Sequence, residues 1–119
     1  MDMDSENILL AKLKSEERDS EVTIFHLVHL YERAGEPLKA IPYLQQLLAG
    51  TQDANKVCRY NFNLGQLMEQ TEDYESAVSY YYYALAVETN DKRTWYFIHN
   101  NLGFSLTALG RFKEGSKHK

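Results

Sequence analysis

Apolar residues recur at helical spacing through the middle of the chain. In the stretch "VCRYNFNLGQLMEQ" they stand at i, i+4, i+7 and i+8, which is one face of an α-helix: Tyr60, Leu64, Leu67 and Met68. The next stretch, "TEDYESAVSYYYYALAVE", has the same spacing: Ala77, Tyr81, Ala84 and Leu85. Thr71 or Asp73 can accept hydrogen bonds from the first N–H groups of the second helix. The pattern predicts two consecutive helices joined by a short turn.

Similar helix pairs are predicted on both sides of this one. Upstream, "VTIFHLVHLYERAG" ends in Gly35, which suits a helix C-terminus, and Pro37 suits the first turn of the next helix, "EPLKAIPYLQQLLAG". Pro42 lies inside that helix, where it removes one backbone hydrogen bond. Downstream, "WYFIHNNLGFSLTALG" should end at Gly110, and "RFKEGSKHK" should begin a partner helix.

The three pairs share one register. Leu64 follows Leu27 by 37 residues, and Leu102 follows Leu64 by 38. Four further sets keep these steps: Tyr31, Met68 and Leu106; Gly35, Glu72 and Gly110; Pro37, Tyr74 and Phe112; Ala40, Ala77 and Gly115. A constant register at several positions indicates an internal repeat rather than coincidence.

The unit resembles the tetratricopeptide repeat, a helix–turn–helix unit with a Leu-Gly pair, then an aromatic residue, then an Ala…aromatic…Ala pattern. The second unit carries these residues at Leu64, Gly65, Tyr74, Ala77, Tyr81 and Ala84. The third carries Leu102, Gly103, Gly110 and Phe112, and the first, more loosely, Leu27, Tyr31, Gly35 and Ala40. The period exceeds the family's usual 34 residues or so.

The resemblance implies an all-α fold in which helix–turn–helix repeats stack as a right-handed α-solenoid, with about three repeats and an N-terminal helix. Residues 1–20 would form an acidic N-terminal segment, and residues 21–119 the repeat domain. Its repeats would cover about 21–57, 58–95 and 96–119, the last incomplete. "SENILLAKLKSEE" predicts a capping helix over about Ser5 to Glu17, with a disordered acidic leader as the alternative.

Small residues have a packing role in this resemblance. Gly65 and Gly103 should each let the second helix of their own unit approach the first closely. One helix face cannot hold all four consecutive tyrosines from Tyr80 to Tyr83, because consecutive helical residues are about 100° apart. The resemblance implies that Tyr81 takes the core position. The remaining rings either pack against neighbouring helices or form an aromatic patch for a partner.

By resemblance, a partner would bind in a concave groove lined by the first helices. The corresponding residues are Phe25, His29, Arg33, Arg59, Phe62, Gln66, Gln70, Phe97, Asn100, Phe104 and Thr107. The resemblance implies a non-catalytic scaffold that binds a protein or peptide there. The alternatives are self-association through an exposed C-terminal edge, and a regulatory repeat domain of a longer protein. The third unit breaks off early, which favours a fragment of a longer array.

The composition of the chain argues against some classes of binding partner. The net charge of −4 and the pI near 5.5 argue against nucleic-acid and anionic-membrane binding, which need basic surfaces. The single cysteine, Cys58, suits a reducing compartment, and we expect a cytoplasmic protein. Its position near a helix start could lower the pKa of its thiol. His26 and His29 are three residues apart, but no set of ligands completes a metal site. No catalytic motif, cofactor or metal is predicted.

Overall fold

A computed structural model describes residues 3–15, 20–89 and 91–117, with side chains placed at 5–11, 21–89 and 91–110. Every regular element in these ranges is an α-helix. In chain order the helices are α1 Met3–Ser15, α2 Ser20–Arg33, α3 Pro37–Ala49, α4 Ala54–Gln70, α5 Tyr74–Leu85 and α6 Lys92–Lys117. The all-α prediction is confirmed.

The chain forms two compact units, of which the first is Met1–Thr51. In this unit α2 packs against both α1 and α3, so the predicted N-terminal helix lies on the first helix pair. The core is formed by Ile24, Leu27, Val28, Tyr31, Ala40, Leu44 and Leu47. The hydroxyl of Tyr31 donates a hydrogen bond to Glu6 Oε1 at 2.8 Å. Burial, followed by this bond, raises the pKa of Tyr31 to about 12.

The second unit is Gln52–Lys119. Its central helix is α5, which packs against both α4 and α6, and α4 also contacts α6. The buried cluster between these helices contains Cys58, Ala77, Tyr81, Ala84, Ile98 and Leu102. Asp53 accepts hydrogen bonds from two N–H groups at the start of α4, and Asp73 accepts one from Ser76 N at the start of α5. Of the two predicted caps for α5, Asp73 is therefore the one used.

The turns after α2 and α4 have the same backbone hydrogen bonds. Gly35 is left-handed with φ 70°, and Glu36 N donates to Tyr31 O at 2.9 Å. Glu72 is left-handed with φ 62°, and Asp73 N donates to Met68 O at 2.9 Å. Both are turns in which a left-handed residue ends the helix and the next N–H closes a wider loop.

The third predicted helix pair is not formed. The sequence predicts that a helix ends at Gly110 and a new one begins at Arg111, but α6 is continuous from Lys92 to Lys117. A glycine inside a helix costs only about 1 kcal/mol relative to alanine, so helical hydrogen bonding continues unless packing favours a turn. The register assigns Phe112 and Gly115 to the missing second helix, and the side-chain packing at both positions lies outside the described residues.

Candidate functional site

Gly65 and Tyr81 form a close contact between α4 and α5. Tyr81 is completely buried, which confirms the core position predicted within the tyrosine run. A Cβ atom added to Gly65 would lie 2.6 Å from Tyr81 Cδ1 and 2.8 Å from Cζ, well inside normal contact distance. Gly65 therefore has the predicted packing role: its missing side chain makes the space that the ring of Tyr81 occupies.

Glu69 joins all three helices of the second unit. Its Oε1 accepts a hydrogen bond from the Tyr81 hydroxyl on α5 at 2.7 Å and another from Ser105 Oγ on α6 at 2.8 Å. Both donors are fully buried. Burial, and then the bond to Glu69, raises the pKa of Tyr81, whereas a hydrogen bond from Asn101 opposes that rise. The sequence pattern did not identify this carboxylate as a packing residue.

The other three tyrosines of the run are partly or largely exposed. Tyr82 and Tyr83 expose 53% and 61% of their surface, and Tyr80 is half-buried with its ring 6.5 Å from that of Tyr83. The run thus supplies one core residue and two accessible rings on α5.

The predicted groove residues of α4 do not share one environment. Arg59 and Gln70 are exposed, and Gln66 is half-buried. Phe62 packs against the buried cluster, with its ring 6.0 Å from that of Tyr81. At about 100° per residue, Phe62 stands roughly 40° to 80° around the helix from the other three. Much of its ring area therefore contributes to the fold.

The predicted groove residues of α6 are all accessible. Phe97 exposes 50% of its surface and Phe104 exposes 59%, and Asn100 and Thr107 are exposed as well. Because the four residues follow each other at intervals of three or four, they lie on one face of the helix. Phe104 also contacts the ring of Tyr74 on α5, with centroids 6.2 Å apart. We call this set the Phe97–Phe104 face.

The predicted groove residues of the first unit lie on α2. Phe25 is half-buried, and its ring centroid is 4.8 Å from that of His29, which is exposed. Arg33, in the last turn, is exposed too. Burial raises the pKa of the neighbouring Glu32, and His29 opposes this rise. Phe25 and His29 therefore form one small aromatic contact on α2.

Gly103 does not have the packing role that the sequence predicts. It is exposed, and among the described residues nothing lies within 4 Å of a Cβ added at this position. The expectation of a close approach by a second helix is wrong, because α6 continues through Gly110 instead of turning back.

Cys58 does not have the activated environment considered from the sequence. Helix α4 begins at Ala54, so Cys58 lies in its second turn, where its side chain is buried. Burial, and then the nearby charge of Asp91, raises the pKa of its thiol, so the suggestion of a lowered pKa is wrong. Cys58 also lines a cavity of about 530 Å³, together with Arg59 and Asp91.

Asp91 caps the N-terminus of α6. Its carboxylate accepts hydrogen bonds from the Thr94 hydroxyl at 2.6 Å and from the backbone N–H groups of Arg93 and Thr94 at 3.1 Å. The bonds from Thr94 are the main cause that lowers the pKa of Asp91.

No helix in the described part of the chain is long and apolar enough to span a membrane. Within those same ranges, no group of three or more His, Cys, Asp or Glu side chains could hold a metal ion.

Comparison with protein-family models identifies two repeats in the chain. Residues 23–57 match one model described as a tetratricopeptide repeat, and residues 59–91 match a second model with the same description. Together the two matches cover more than half of the chain, and the whole of α6 lies beyond the second. A search of curated proteins finds no significant match.

Proposed function

The chain belongs to the tetratricopeptide repeat family, and from this premise we propose that it is a non-catalytic scaffold that binds a partner protein or peptide on the exposed faces of its first helices. Repeats of this family generally mediate protein–protein interaction. We further propose a cytoplasmic location, which the lone thiol of Cys58 supports.

The observation that carries the proposal is the Phe97–Phe104 face. Two phenylalanines, each at least half exposed, stand seven residues apart on α6, so they point in nearly the same direction two turns apart. Asn100 and Thr107 stand on the same face. Exposed rings give apolar contact area, and the Asn100 amide can pair with a peptide backbone.

The Thr107 hydroxyl limits this recognition in one respect. It donates a hydrogen bond to Gly103 O at 2.8 Å, within its own helix. Its oxygen remains able to accept a bond from a partner, so Thr107 fits a donor such as a backbone N–H. We propose that Arg59 and Gln70, exposed on α4, add polar contacts. Phe62 is not included, because its ring packs on Tyr81.

The test compares two double variants that remove equally exposed rings. Phe97→Ala with Phe104→Ala removes the proposed face, and Tyr82→Ala with Tyr83→Ala removes the exposed rings of α5. A partner captured by the wild-type chain is purified, and its affinity for each variant is measured by calorimetry. We expect the α6 variant to lose affinity by about thirtyfold or more, as for removal of central aromatic contacts, and the α5 variant to bind normally.

The opposite result would reject the proposal. If the α6 variant, with unchanged helicity by circular dichroism, bound the partner as tightly as the wild-type chain, the contact surface would lie elsewhere. Selective loss in the Tyr82, Tyr83 variant would place that surface on α5.

A further inference from the structure

Two neighbouring cavities lie at one end of the second unit, where the start of α4 meets the link from α5 to α6. The first has a volume of about 530 Å³ and the second of about 650 Å³, sizes that are typical of small-molecule pockets. Asn55 and Thr89 line both cavities, and the Thr89 hydroxyl donates a hydrogen bond to Asn55 Oδ1 at 2.7 Å. The two cavities adjoin at this bond, and we call them together the Asn55–Thr89 pocket.

The first cavity offers hydrogen-bond donors on the side of α4. Arg59 lines this cavity, and within the described part of the chain its guanidinium has no ion pair and no hydrogen bond. The Nδ2 group of Asn55 also has no hydrogen-bond partner among those residues. Because the two side chains are four residues apart, they lie on the same face of α4. A carboxylate in the cavity could accept from both of them.

Asp91 gives the first cavity a negative charge as well. Hydrogen bonds from Thr94 hold the pKa of its carboxyl below the ordinary aspartate value, so Asp91 is ionised at neutral pH. Its Oδ1 accepts from two backbone N–H groups, whereas its Oδ2 accepts only from the Thr94 hydroxyl. One acceptor site of Oδ2 therefore remains for an ammonium group. The exposed Glu88, which lines the second cavity, adds another carboxylate.

The second cavity has an apolar wall. Leu85 and Val87 line it from the end of α5 and the following link, and both are half-buried. Trp95 lines it from the first turn of α6 and is 51% exposed. An apolar side chain can lose contact with water against these three residues.

We propose that the Asn55–Thr89 pocket binds a free amino acid with an apolar side chain. The carboxylate of the ligand accepts hydrogen bonds from Arg59 and from the Asn55 amide, and its ammonium group pairs with Asp91. Its side chain lies in the second cavity against Val87 and Trp95. A simple anion or cation is less suitable, because the first cavity contains both signs of charge.

The rest of α6 extends away from this pocket. The helix is continuous from Lys92 to Lys117 and rises 1.5 Å per residue, so residues 111–117 lie about 24 Å or more along its axis from Trp95. The pocket is also separate from the Phe97–Phe104 face, because neither phenylalanine lines it. Of the residues proposed to contact a partner, the pocket shares only Arg59.

The experiment titrates the full chain with L-leucine and follows the emission of Trp95, the only tryptophan of the chain. Because Trp95 lines the second cavity, we expect a saturable change in emission. Three analogues each remove one feature of leucine: leucinamide lacks the carboxylate, N-acetyl-leucine lacks the ammonium group, and glycine lacks the apolar side chain. Each should bind more weakly by about tenfold or more in calorimetry, since each leaves one part of the pocket without its contact.

Two variants test the charged groups one at a time. Arg59→Gln should weaken leucine binding by about tenfold and leave the weak binding of leucinamide unchanged. Asp91→Ser removes the negative charge but keeps a hydroxyl that can cap α6, and it should weaken the binding of leucine but not of N-acetyl-leucine. Arg33→Gln is the matched control, because it removes the same charge from an exposed arginine of the first unit and should bind leucine normally.

The absence of a saturable change with leucine would overturn the proposal, and so would unchanged leucine affinity in Arg59→Gln. Equal binding of leucine and N-acetyl-leucinamide, which has neither charged group, would reject a free amino acid and identify a side chain within a peptide as the ligand. Loss of leucine binding in the Phe97→Ala, Phe104→Ala variant would place the ligand outside the pocket. Partner binding by that same variant tests the proposed function separately, so either hypothesis can fail without the other.

Discussion

Helices α4 and α6 contain the same tripeptide, Asn-Leu-Gly, at residues 63–65 and 101–103. The leucine is buried in both helices, at 0% exposure for Leu64 and 7% for Leu102. The glycines differ, because Gly65 holds the ring of Tyr81 whereas Gly103 faces no described residue. The leucine of each tripeptide packs within its unit in both cases. The glycine acquires a packing role only where a second helix returns along the first.

The residues at the helix ends show the same dependence on context. Gly35, Glu72 and Gly110 occupy one register position. At Gly35 and Glu72 the backbone becomes left-handed and a second helix begins. Gly110 lies within the continuous helix α6, although glycine is the residue best suited to such a turn. The turn is therefore decided by the packing of the second helix and not by the residue at its start.

Gly65→Ala is expected to have the largest effect on stability, because Gly65 is the one of the two glycines that packs against another helix. The added methyl group would overlap several ring atoms of a fully buried tyrosine. Overpacking of this kind should lower the free energy of unfolding by about 2–3 kcal/mol. Urea unfolding followed by circular dichroism measures this loss. Unchanged stability would show that Tyr81 can move aside and that the close approach is not required.

Glu69→Leu comes next, because Glu69 is the link from α4 to both other helices of the unit. It removes the acceptor of two buried hydroxyls, those of Tyr81 and Ser105. We expect a loss of about 2 kcal/mol in the free energy of unfolding. Glu69→Gln is the matched control, since it keeps an acceptor oxygen and should recover much of the loss. Equal loss in both variants would mean that the charge of Glu69, rather than its capacity to accept two bonds, stabilises the unit.

Glu72→Gly tests the turn that ends α4. Glu72 has a positive φ of 62°, a conformation that costs a residue with a Cβ about 1 kcal/mol and glycine almost nothing. The variant should therefore be about 1 kcal/mol more stable, visible as a higher midpoint in thermal unfolding. Gly35→Ala is the mirror control and should be destabilised by a similar amount. A Glu72→Gly variant no more stable than the wild type would mean that greater flexibility of the unfolded chain offsets the relief of strain.

Gly103→Ala tests the exposed glycine and should have a small effect of opposite sign to Gly65→Ala. Gly103 lies in the middle of α6 with open space beside it, so an alanine there meets no described atom. Alanine also has a higher helix propensity than glycine. We expect a gain of about 0.5 kcal/mol in the free energy of unfolding. Urea unfolding of the two glycine variants under identical conditions compares them directly. A loss at Gly103 would show that a segment outside the described residues packs there.

The last prediction concerns the pH dependence of the free energy of unfolding, and it applies at alkaline pH and not near neutrality. Burial and the bond to Glu69 raise the pKa of Tyr81 above the ordinary tyrosine value of about 10, so the native state keeps its proton while the unfolded state loses it. The stabilisation is thus complete below about pH 10 and declines as pH rises further. Tyr81→Phe should make unfolding free energy less dependent on alkaline pH, and the exposed Tyr82→Phe should not. Equal slopes in both variants would contradict this assignment.

Periodicity in the sequence was sufficient to predict most of the fold. The stripes around Leu64 and Tyr81 predict helices whose buried faces the structure confirms. Such a stripe reflects the average environment of a whole helix face, so it predicts the helix correctly even where a single residue deviates from the pattern. The failures at Gly103 and Gly110 involve residues without side chains. Glycine has no apolar or polar signature, and its role depends on whether a neighbouring helix packs against it.

The candidate site was harder to predict for a related reason. Phe62 and Phe104 look alike in sequence, but one ring packs on Tyr81 and the other is 59% exposed. Glu69 was missed because a glutamate on an amphipathic helix usually faces solvent. A signal was nevertheless present: Glu69 follows Gly65 by four residues, so it lies above the same ring and can accept from its hydroxyl.

The two hydrogen bonds accepted by Glu69 differ in the length of chain that each one closes. Tyr81 is 12 residues away from Glu69 in the sequence, and Ser105 is 36 away. Loop-closure entropy grows only with the logarithm of length, so threefold more chain costs about 1 kcal/mol more. With the carboxylate already held by Tyr81 inside the α4–α5 hairpin, the distant helix meets a fixed acceptor. The ordering of this one side chain therefore serves two hydrogen bonds, and its conformational entropy is lost only once for both.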